Sequence, residues 1–406
     1  MIESRLKLVD LIIRVSDGLS PAAQPVEVVE RKGLGHPDSI CDALAERFCI
    51  RLCRYYLDQF GVILHHNVDK VLLCGGAARP AFGGGEILEP IEIYMAGRAT
   101  RQYDGVSIPV EEIAVEAARS WLREHVPEVD LDRDVRIVPR LRSGSADLVR
   151  LFASDGSDPP SNDTSCGVGF APLTDLESIV LGVERRLTGE DTRHEHPAIG
   201  PDVKVMAVRR DSRIDLTISC GFIGRFLHGL TDYLEAKDIV RSIGLAVARE
   251  RTAAAVNITV NAADAVARGL VFLTVTGTSA EAGDDGEVGR GNRVCGLITP
   301  YRPMTLEAAA GKNPVSHVGK LYSLAAARIA AAIVRDNALI HHSAITLVSQ
   351  IGRRVRDPQV ADVRLALEGM TQIAAVEPVV RETIQEQLGT LGDLRRALLE
   401  DRVPVF

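Results

Sequence analysis

The segment from Asp284 to Lys320 constrains this chain more than any other stretch, because it is a long, polar, glycine-rich loop. It contains two adjacent carboxylates and follows closely after a strand-like run, residues 270–275. Its basic residues are Arg290, Arg293, Arg302, Lys312 and Lys320. Carboxylates that can hold Mg²⁺, beside cationic side chains and exposed backbone N–H groups, suit a polyphosphate. The segment therefore predicts a nucleotide triphosphate site.

Length and charge limit the classes of protein to consider. The chain has 406 residues, too many for one simple core, which indicates two or three domains. It is 46% hydrophobic and 25% charged, as in ordinary globular proteins. A net charge of −8 argues against a nucleic-acid-coating role, so local basic clusters must meet any anionic ligand.

The cysteines and apolar runs indicate a cellular location. Seven scattered cysteines without CxxC spacing favour reduced thiols in a cytoplasmic protein over a disulfide frame or a zinc site. The sequence shows no apolar run of about 18 residues, so we expect no membrane span.

A turn with two glycines leads into a predicted helix from Pro37 to Gln59. His36 and Asp38 then lie at the helix N-terminus, where free N–H groups and the helix dipole attract anions. The histidine can donate to a phosphate and the carboxylate can hold Mg²⁺ bound to it; the alternative is that either merely caps the helix. Asp42 and Glu46 continue at i+4 spacing, as a metal-facing row or, more commonly, a solvated face.

Other polar segments offer weaker signals. Arg142, Ser143 and Gly144 precede a predicted helix, as a second phosphate cradle or, equally well, with Ser145 as an unoccupied N-cap. The lone carboxylate of Asp163 can bind an amine or a sugar hydroxyl, although such residues are usually structural.

Three further segments carry charge or many glycines. Lys204 begins a predicted strand, so it can point into a site or into water. The glycine-rich residues 75–86 match no phosphate-binding motif and predict a strand-to-strand connection. Residues 194–196, His-Glu-His, are expected to be exposed in a loop.

The order of strands and helices, with a hairpin at residues 202–219, predicts an α+β fold rather than a doubly wound sheet. Helical patterns are also expected at residues 360–370 and 378–400. We divide the chain at 1–130, 131–260 and 261–406, as discontinuous domains with approximate boundaries.

Several motifs together resemble one family. They are GLGHPDSICD (residues 33–42), GGAARPAFGGGE (75–86), RSGSADL (142–148), NDTSCGVGFAPL (162–173), PDVKVMAVR (201–209) and the long segment from Thr276 to Tyr322. In this order they resemble the archaeal-type S-adenosylmethionine synthetases. The resemblance implies three similar sheet-and-helix domains with pseudo-threefold symmetry and an interleaved chain. It also implies a homodimer or dimer of dimers with active sites between subunits.

The resemblance further implies ATP and L-methionine as substrates, with Mg²⁺ and K⁺. The implied catalytic residues are His36, Lys204, Arg290 and Lys312. These four are also the core of an implied ATP-binding set, which adds Arg142, Ser143, Gly144, Ser145, Asp147 and Lys320. Glu30 and Asp163 would bind methionine or adenosine, and the metal ligands would be Asp38 with Asp284, Asp285 or both.

Two questions stay open at the level of sequence. The better-known branch of the family has a second lysine and an aspartate shortly after the corresponding loop, whereas here the sequence is EAAAGKNPVSHVGK, and either Ser316, His317 or Lys320 takes the second basic role. Another ATP-dependent kinase or ligase, or a non-catalytic nucleotide-binding regulator, is the alternative function, although P-loop and protein-kinase motifs are missing.

Overall fold

A computed structural model describes residues 10–16, 18, 20–144 and 159–406. The strands in these ranges are β1 (Asp10–Val15), β2 (Val26–Lys32), β3 (His66–Cys74), β4 (Ala77–Ala81), β5 (Gly84–Glu89), β6 (Ile91–Ala99), β7 (Gln102–Tyr103), β8 (Val106–Ser107), β9 (Val135–Arg142), β10 (Cys166–Ala171), β11 (Ile199–Arg210), β12 (Arg213–Ile223), β13 (Ala255–Val260), β14 (Leu273–Thr274), β15 (Gly286–Glu287), β16 (Ile340–Val348) and β17 (Val360–Leu367). The helices are α1 (Pro37–Phe60), α2 (Val110–His125), α3 (Asp175–Thr188), α4 (Glu190–Glu195), α5 (Leu230–Arg249), α6 (Val318–Arg335), α7 (Ile373–Gly389) and α8 (Leu391–Leu399).

One sheet has the order β13-β12-β11-β2, with the short β14 beside β12. The β11–β12 hairpin confirms the expectation from its alternating pattern. Antiparallel pairing of β11 with β2 sets Lys204 directly opposite Lys32, and Met206 opposite Glu30. Helices α3 and α5 pack against this sheet and enclose an apolar core of their own. The sheet therefore carries two lysines and a glutamate side by side.

Two other sheets share the larger core. Their strand orders are β15-β3-β6-β9 and β1-β17-β16-β10. Helices α1 and α2 cover the first, and α6 and α7 pack on the second. Parallel and antiparallel pairs occur in each of these sheets, so the predicted α+β class is confirmed. Each draws strands from distant parts of the sequence, while the threefold symmetry and the domain boundaries stay predictions.

Most predicted elements are present. The helix expected at residues 37–59 forms as α1 within a residue or two of its predicted ends. The glycine-rich segment at residues 75–86 connects strands, as expected, and adds the small β4–β5 hairpin. The strand expected at residues 270–275 is shorter, since only β14 forms there.

Two predictions are wrong. Residues 360–367 form strand β17 instead of a helix, because β17 lies between β1 and β16 and buries alternate residues Ala361, Val363 and Leu365. That period of two is the pattern of a strand that buries one face and exposes the other. Residues 194 and 195 belong to the short helix α4, not to a loop. No helix in the described ranges is long and apolar enough to cross a membrane.

Candidate active site

A row of carboxylates on α1 holds the loop that follows β15. Asp38 Oδ1 accepts a hydrogen bond from the Glu287 N–H at 2.9 Å. One turn on, Asp42 Oδ1 accepts from the Gly289 N–H at 2.8 Å. A further turn on, Glu46 Oε2 accepts from the N–H of residue 311 at 2.9 Å. All three acidic residues are buried. The solvated face expected at this i+4 spacing is therefore wrong, because the loop covers the row and uses it for its backbone donors.

The loop passes very close to the start of α1. A Cβ on Gly286 would lie 2.3 Å from the carbonyl oxygen of Pro37, so only glycine fits there. This close passage brings Asp284, Asp285 and Arg290 to the same end of the helix as His36 and Asp38.

His36 is the N-cap of α1 and is neutral at physiological pH. Its Nδ1 accepts the N–H of Asp38 at 3.2 Å, so the ring proton lies on Nε2. Burial, together with the positive charges of Lys32 and Lys204, lowers the pKa of His36 to about 4. The charge of Asp284 also acts on this ring, which indicates that the two side chains are neighbours. A neutral histidine here can donate from Nε2 to an oxygen anion.

Lys32 belongs to the same group, and sequence reasoning missed it. Its Nζ lies 2.8 Å from Asp38 Oδ2 and 3.1 Å from the carbonyl oxygen of Arg290. Burial alone would raise the pKa of Asp38. Hydrogen bonds from Lys32 and the Glu287 N–H instead hold this pKa below its ordinary value. Lys32 follows Glu30 by two residues on β2. Because side chains alternate between the two faces of a strand, the sequence could have shown that Lys32 and Glu30 lie on the same face.

Glu30 lies between two lysines. Its carboxylate oxygens are 3.9 Å from Lys32 Nζ and 3.5 Å from Lys204 Nζ. Lys204 therefore faces this group while its side chain stays 39% exposed. Arg290 is exposed on the loop and forms no ion pair with another described residue. An incoming anion can therefore reach Lys204 and Arg290 without displacing a buried partner.

Asp284 and Asp285 make different contacts. Asp284 Oδ2 is 2.9 Å from Ser279 Oγ, which is also 2.6 Å from Asp202 Oδ2. Burial raises the pKa of Asp202 to about 6. Asp285 Oδ1 instead accepts the N–H of Gly75 at 2.9 Å and so holds the loop after β3. The two adjacent carboxylates therefore take separate positions, with Asp284 on the side of His36.

The carboxylate oxygens near His36 suit a small, hard divalent cation as ligands. Asp38 and Asp284 supply carboxylate oxygens, the ligands that Mg²⁺ prefers. Asp284 is exposed, so its second oxygen is accessible to an ion that brings its own water and phosphate ligands. The residues present therefore fit Mg²⁺.

A second basic group lies at the other end of the loop. Lys312 is buried, contacts Glu307 and has its Nζ 3.9 Å from Asp69 Oδ2. Burial lowers the pKa of Lys312 to about 8, although the charges of Asp69 and Asp163 oppose the shift. Asp163 itself is exposed in the turn before β10. The fold thus brings Lys312 and Asp163 close enough to interact electrostatically. Their wide separation along the chain gave no sign of this.

Lys320 has no exposed surface. Its Nζ lies 2.6 and 2.8 Å from the two carboxylate oxygens of Glu46, the third member of the α1 row. His317, also buried, caps α6 through Nδ1 and the N–H of Gly319 at 3.3 Å. Burial and the charge of Lys312 lower the pKa of His317 well below its ordinary value. Of the three candidates for the second basic role, Lys320 is fully paired with Glu46, and Ser316 is buried.

Gly144 lies just after β9 and against His65, while Arg142, the last residue of β9, and Ser143 are exposed. A Cβ on Gly144 would lie 2.5 Å from His65 Nδ1, and His65 in turn acts electrostatically on His317. Ser143 lies beside Gly144, at the rim of a surface pocket. Ser145 and Asp147 lie outside the described residues.

Asp42 provides a test of how the loop is held. Burial raises the pKa of Asp42 to about 7, and its Oδ2 lacks a hydrogen-bond partner among the described residues. A carboxyl with a raised folded-state pKa adds stability below its unfolded value near 4, and this contribution is lost as pH rises through about 7.

We therefore expect Asp42→Asn, which keeps the Oδ1 acceptor for Gly289, to gain stability relative to the wild type between pH 5 and pH 8. Thermal denaturation at both pH values measures this. A difference in Tm that does not change with pH would contradict a buried, titrating carboxyl.

Comparison with known proteins agrees with the geometry. The sequence profile of the S-adenosylmethionine synthetase (AdoMet synthetase) family matches residues 10–402. A probable S-adenosylmethionine synthase of Aquifex aeolicus is 50% identical over 379 residues, 93% of this chain and 94% of that protein. S-adenosylmethionine synthases of Haloquadratum walsbyi and Pyrococcus furiosus are 46% and 45% identical, each over 94% of this chain and 96% of theirs. The chain is therefore a member of the S-adenosylmethionine synthetase family.

Proposed function

We propose that this chain transfers the adenosyl group of ATP to the sulfur of L-methionine, giving S-adenosylmethionine, and cleaves the released triphosphate to pyrophosphate and phosphate. The observation that carries the proposal is the gathering of His36, Lys204 and Arg290 with Asp38 and Asp284 at the start of α1. Cations and a neutral donor there can receive a polyphosphate leaving group.

The chemistry needs alignment more than proton transfer. The thioether sulfur uses a lone pair to form the bond to C5′, while the C5′–O bond breaks and its electrons go to the triphosphate oxygen. A sulfonium forms, and no proton has to be removed. Stabilising the leaving group is therefore the main electrostatic task.

The proposed division of roles follows the two ends of the loop. His36 donates from Nε2 near the departing oxygen, and Lys204 and Arg290 bind the phosphate chain. Lys312 binds the same chain from the other end of the loop, and Arg142, Ser143 and Gly144 join the phosphate set on the family motif. Ser145 and Asp147 are retained in that phosphate set on the family motif alone.

Asp38 and Asp284 would hold Mg²⁺, which when bound adds positive charge against the triphosphate. We assign the metal to Asp284 rather than Asp285, because the charge of Asp284 acts on His36 beside Asp38, whereas Asp285 points to the Gly75 N–H. Lys320 acts in this proposal through Glu46, which holds the loop at residue 311, and His317 supplies the second donor beside Lys312. K⁺ stays a prediction from the family resemblance.

Glu30 and Asp163 are proposed to bind methionine or the adenosine. Glu30 lies between two lysines, so its charge is partly balanced, whereas Asp163 is exposed and available to an ammonium group. A homodimer or dimer of dimers with shared active sites, in the cytoplasm, completes the proposal. Its support includes large apolar side chains exposed on sheet faces, such as Leu72 and Met206, and the free state of all seven cysteines.

The test is product formation by the purified chain. With ATP, L-methionine, Mg²⁺ and K⁺, we expect S-adenosylmethionine, pyrophosphate and phosphate in equal amounts, measured by chromatography. Omission of methionine is the control, and it should abolish the adenosyl product. A kinase or ligase would instead give ADP or AMP with a phosphorylated or adenylated acceptor. ATP binding without any turnover would favour a regulator.

A further inference from the structure

A buried group of sulfur and nitrogen atoms lies behind the second basic group. Cys49 and Cys53 are one turn apart on α1, so both side chains project on one face. They converge on His66 of β3, whose Nε2 is 3.2 Å from Cys49 Sγ and 3.5 Å from Cys53 Sγ. All three are almost completely buried. Nothing in the proposed adenosyl transfer uses them.

The contacts of His66 orient its free lone pair toward the thiols. His66 Nδ1 lies 2.9 Å from the carbonyl oxygen of Leu64, and an oxygen acceptor requires the proton to lie on Nδ1. Asn313 Nδ2 donates to the same carbonyl at 3.2 Å and lies 3.1 Å from His66 Nδ1, and the shorter contact with the carbonyl, which can only accept, favours the proton on Nδ1. In the neutral ring Nε2 is then an acceptor. A ring fixed by a backbone carbonyl on one nitrogen is the usual second-sphere arrangement of a metal-binding histidine.

We propose that Cys49, Cys53 and His66 form a binding site for one thiophilic d¹⁰ metal ion, Zn²⁺ or Cu⁺. Two thiolates and an imidazole are the ligands these ions prefer. In a tetrahedral zinc site, sulfur and nitrogen ligands at the usual bond lengths are roughly 3.5 Å apart. The two measured sulfur–nitrogen distances are close to that value, so little rearrangement is needed.

Charge balance in the surroundings favours Zn²⁺ over Cu⁺. Zn²⁺ with two thiolates is neutral, and the adjacent buried pair of Lys320 and Glu46 is neutral as well. Lys320 Nζ is 4.0 Å from Cys49 Sγ. Burial alone would raise the pKa of Cys49, but contacts with Cys53, Lys320 and His66 hold it well below its ordinary value. In contrast, burial and the neighbouring Cys49 raise the pKa of Cys53 well above its ordinary value. Metal binding requires the deprotonated form.

A further polar atom lies beside the cluster. The Cys49 thiol donates to the carbonyl oxygen of Lys312 at 3.3 Å. A thiolate cannot donate, so occupation of the site would remove this hydrogen bond, and water would complete the coordination of Zn²⁺. Cu⁺ needs no fourth ligand, because two thiolates and one imidazole already suit a three-coordinate soft ion. The site thus lies where α1, β3 and the Lys312 loop meet.

The test is metal content of the full-length protein. Because the cluster is buried, each ion is supplied both to the native protein and during refolding, in separate Zn²⁺ and Cu⁺ arms, and bound metal is measured by mass spectrometry after dialysis. We expect one tightly bound ion in the wild type and its loss in Cys53→Ala. Cys41→Ala is the matched control, since Cys41 is equally buried on the same helix, and it should retain the ion.

A second readout needs no variant. Co²⁺ supplied in place of Zn²⁺ should give sulfur-to-metal charge-transfer absorption in the wild type, so a folding defect in Cys53→Ala does not decide the outcome. Equal metal content in Cys53→Ala and the wild type, or no ion retained in either arm, would overturn the proposal. Neither readout depends on adenosyl transfer, so failure here is separate from failure of the proposed function.

Discussion

Lys312→Ala is expected to lower the rate of S-adenosylmethionine formation by roughly 10²-fold or more, the usual effect of removing a preorganised group that stabilises developing charge. Lys312 is buried between Glu307 and Asp69, so its ammonium is held in place before the substrate arrives. Steady-state kinetics with saturating methionine measure the effect. Lys70→Ala is the matched control, because Lys70 also pairs with Asp69 but its side chain is 66% exposed.

The pH profile separates a charge role from a packing role. Burial lowers the pKa of Lys312 to about 8, so the charged form is lost from the free enzyme as pH rises through that value. We expect kcat/KM for ATP to fall on the alkaline side near pH 8 in the wild type. In Lys312→Arg the guanidinium stays charged, so this decline should move to higher pH. A rate unchanged in Lys312→Ala would leave the lysine a structural role only.

Asp284→Asn is expected to raise the Mg²⁺ concentration needed for half-maximal activity by at least the roughly 10-fold that loss of an outer-shell partner costs in metal sites. The amide removes one negative charge from the His36 side of the loop, and excess Mg²⁺ should restore part of the turnover. Asp285→Asn is the matched control. Its amide oxygen can still accept the N–H of Gly75, so its Mg²⁺ dependence should stay near that of the wild type.

Two results would count against this assignment. If both variants showed the same Mg²⁺ dependence, Asp284 and Asp285 would act together. If Asp284→Asn showed the Mg²⁺ dependence of the wild type, Asp284 would not be a metal ligand. Thermal denaturation of the variants shows whether the contact of Asp284 with Ser279 matters for folding, because that contact is separate from metal binding.

Local patterns predicted the elements that carry the site. The two glycines and Pro37 indicated where α1 begins, and the structure has His36 as its N-cap. The alternating residues around Lys204 predicted the β11–β12 hairpin. These features depend on neighbouring residues, such as proline at the first helical position and a period of two in a strand. They could therefore be read without tertiary information.

The partners of the site residues could not be predicted in this way. The spacing of Asp38, Asp42 and Glu46 was visible in the sequence, but it was consistent with a solvated face. Burial depends on what covers the helix, and the covering segment lies more than two hundred residues further on. Strand β17 was missed for the same reason, since its two neighbours come from opposite ends of the chain.

The sequence by itself determined the family, the α+β class, the start of α1 and the chemical types in the loop from Asp284 to Lys320, because these are properties of local order and residue type. Only the tertiary structure separated Asp284 from Asp285, paired Lys320 with Glu46 and brought two cysteines to His66. Hydrogen bonds and desolvation act over a few ångströms, and such distances between remote segments exist only after the sheets and helices have packed.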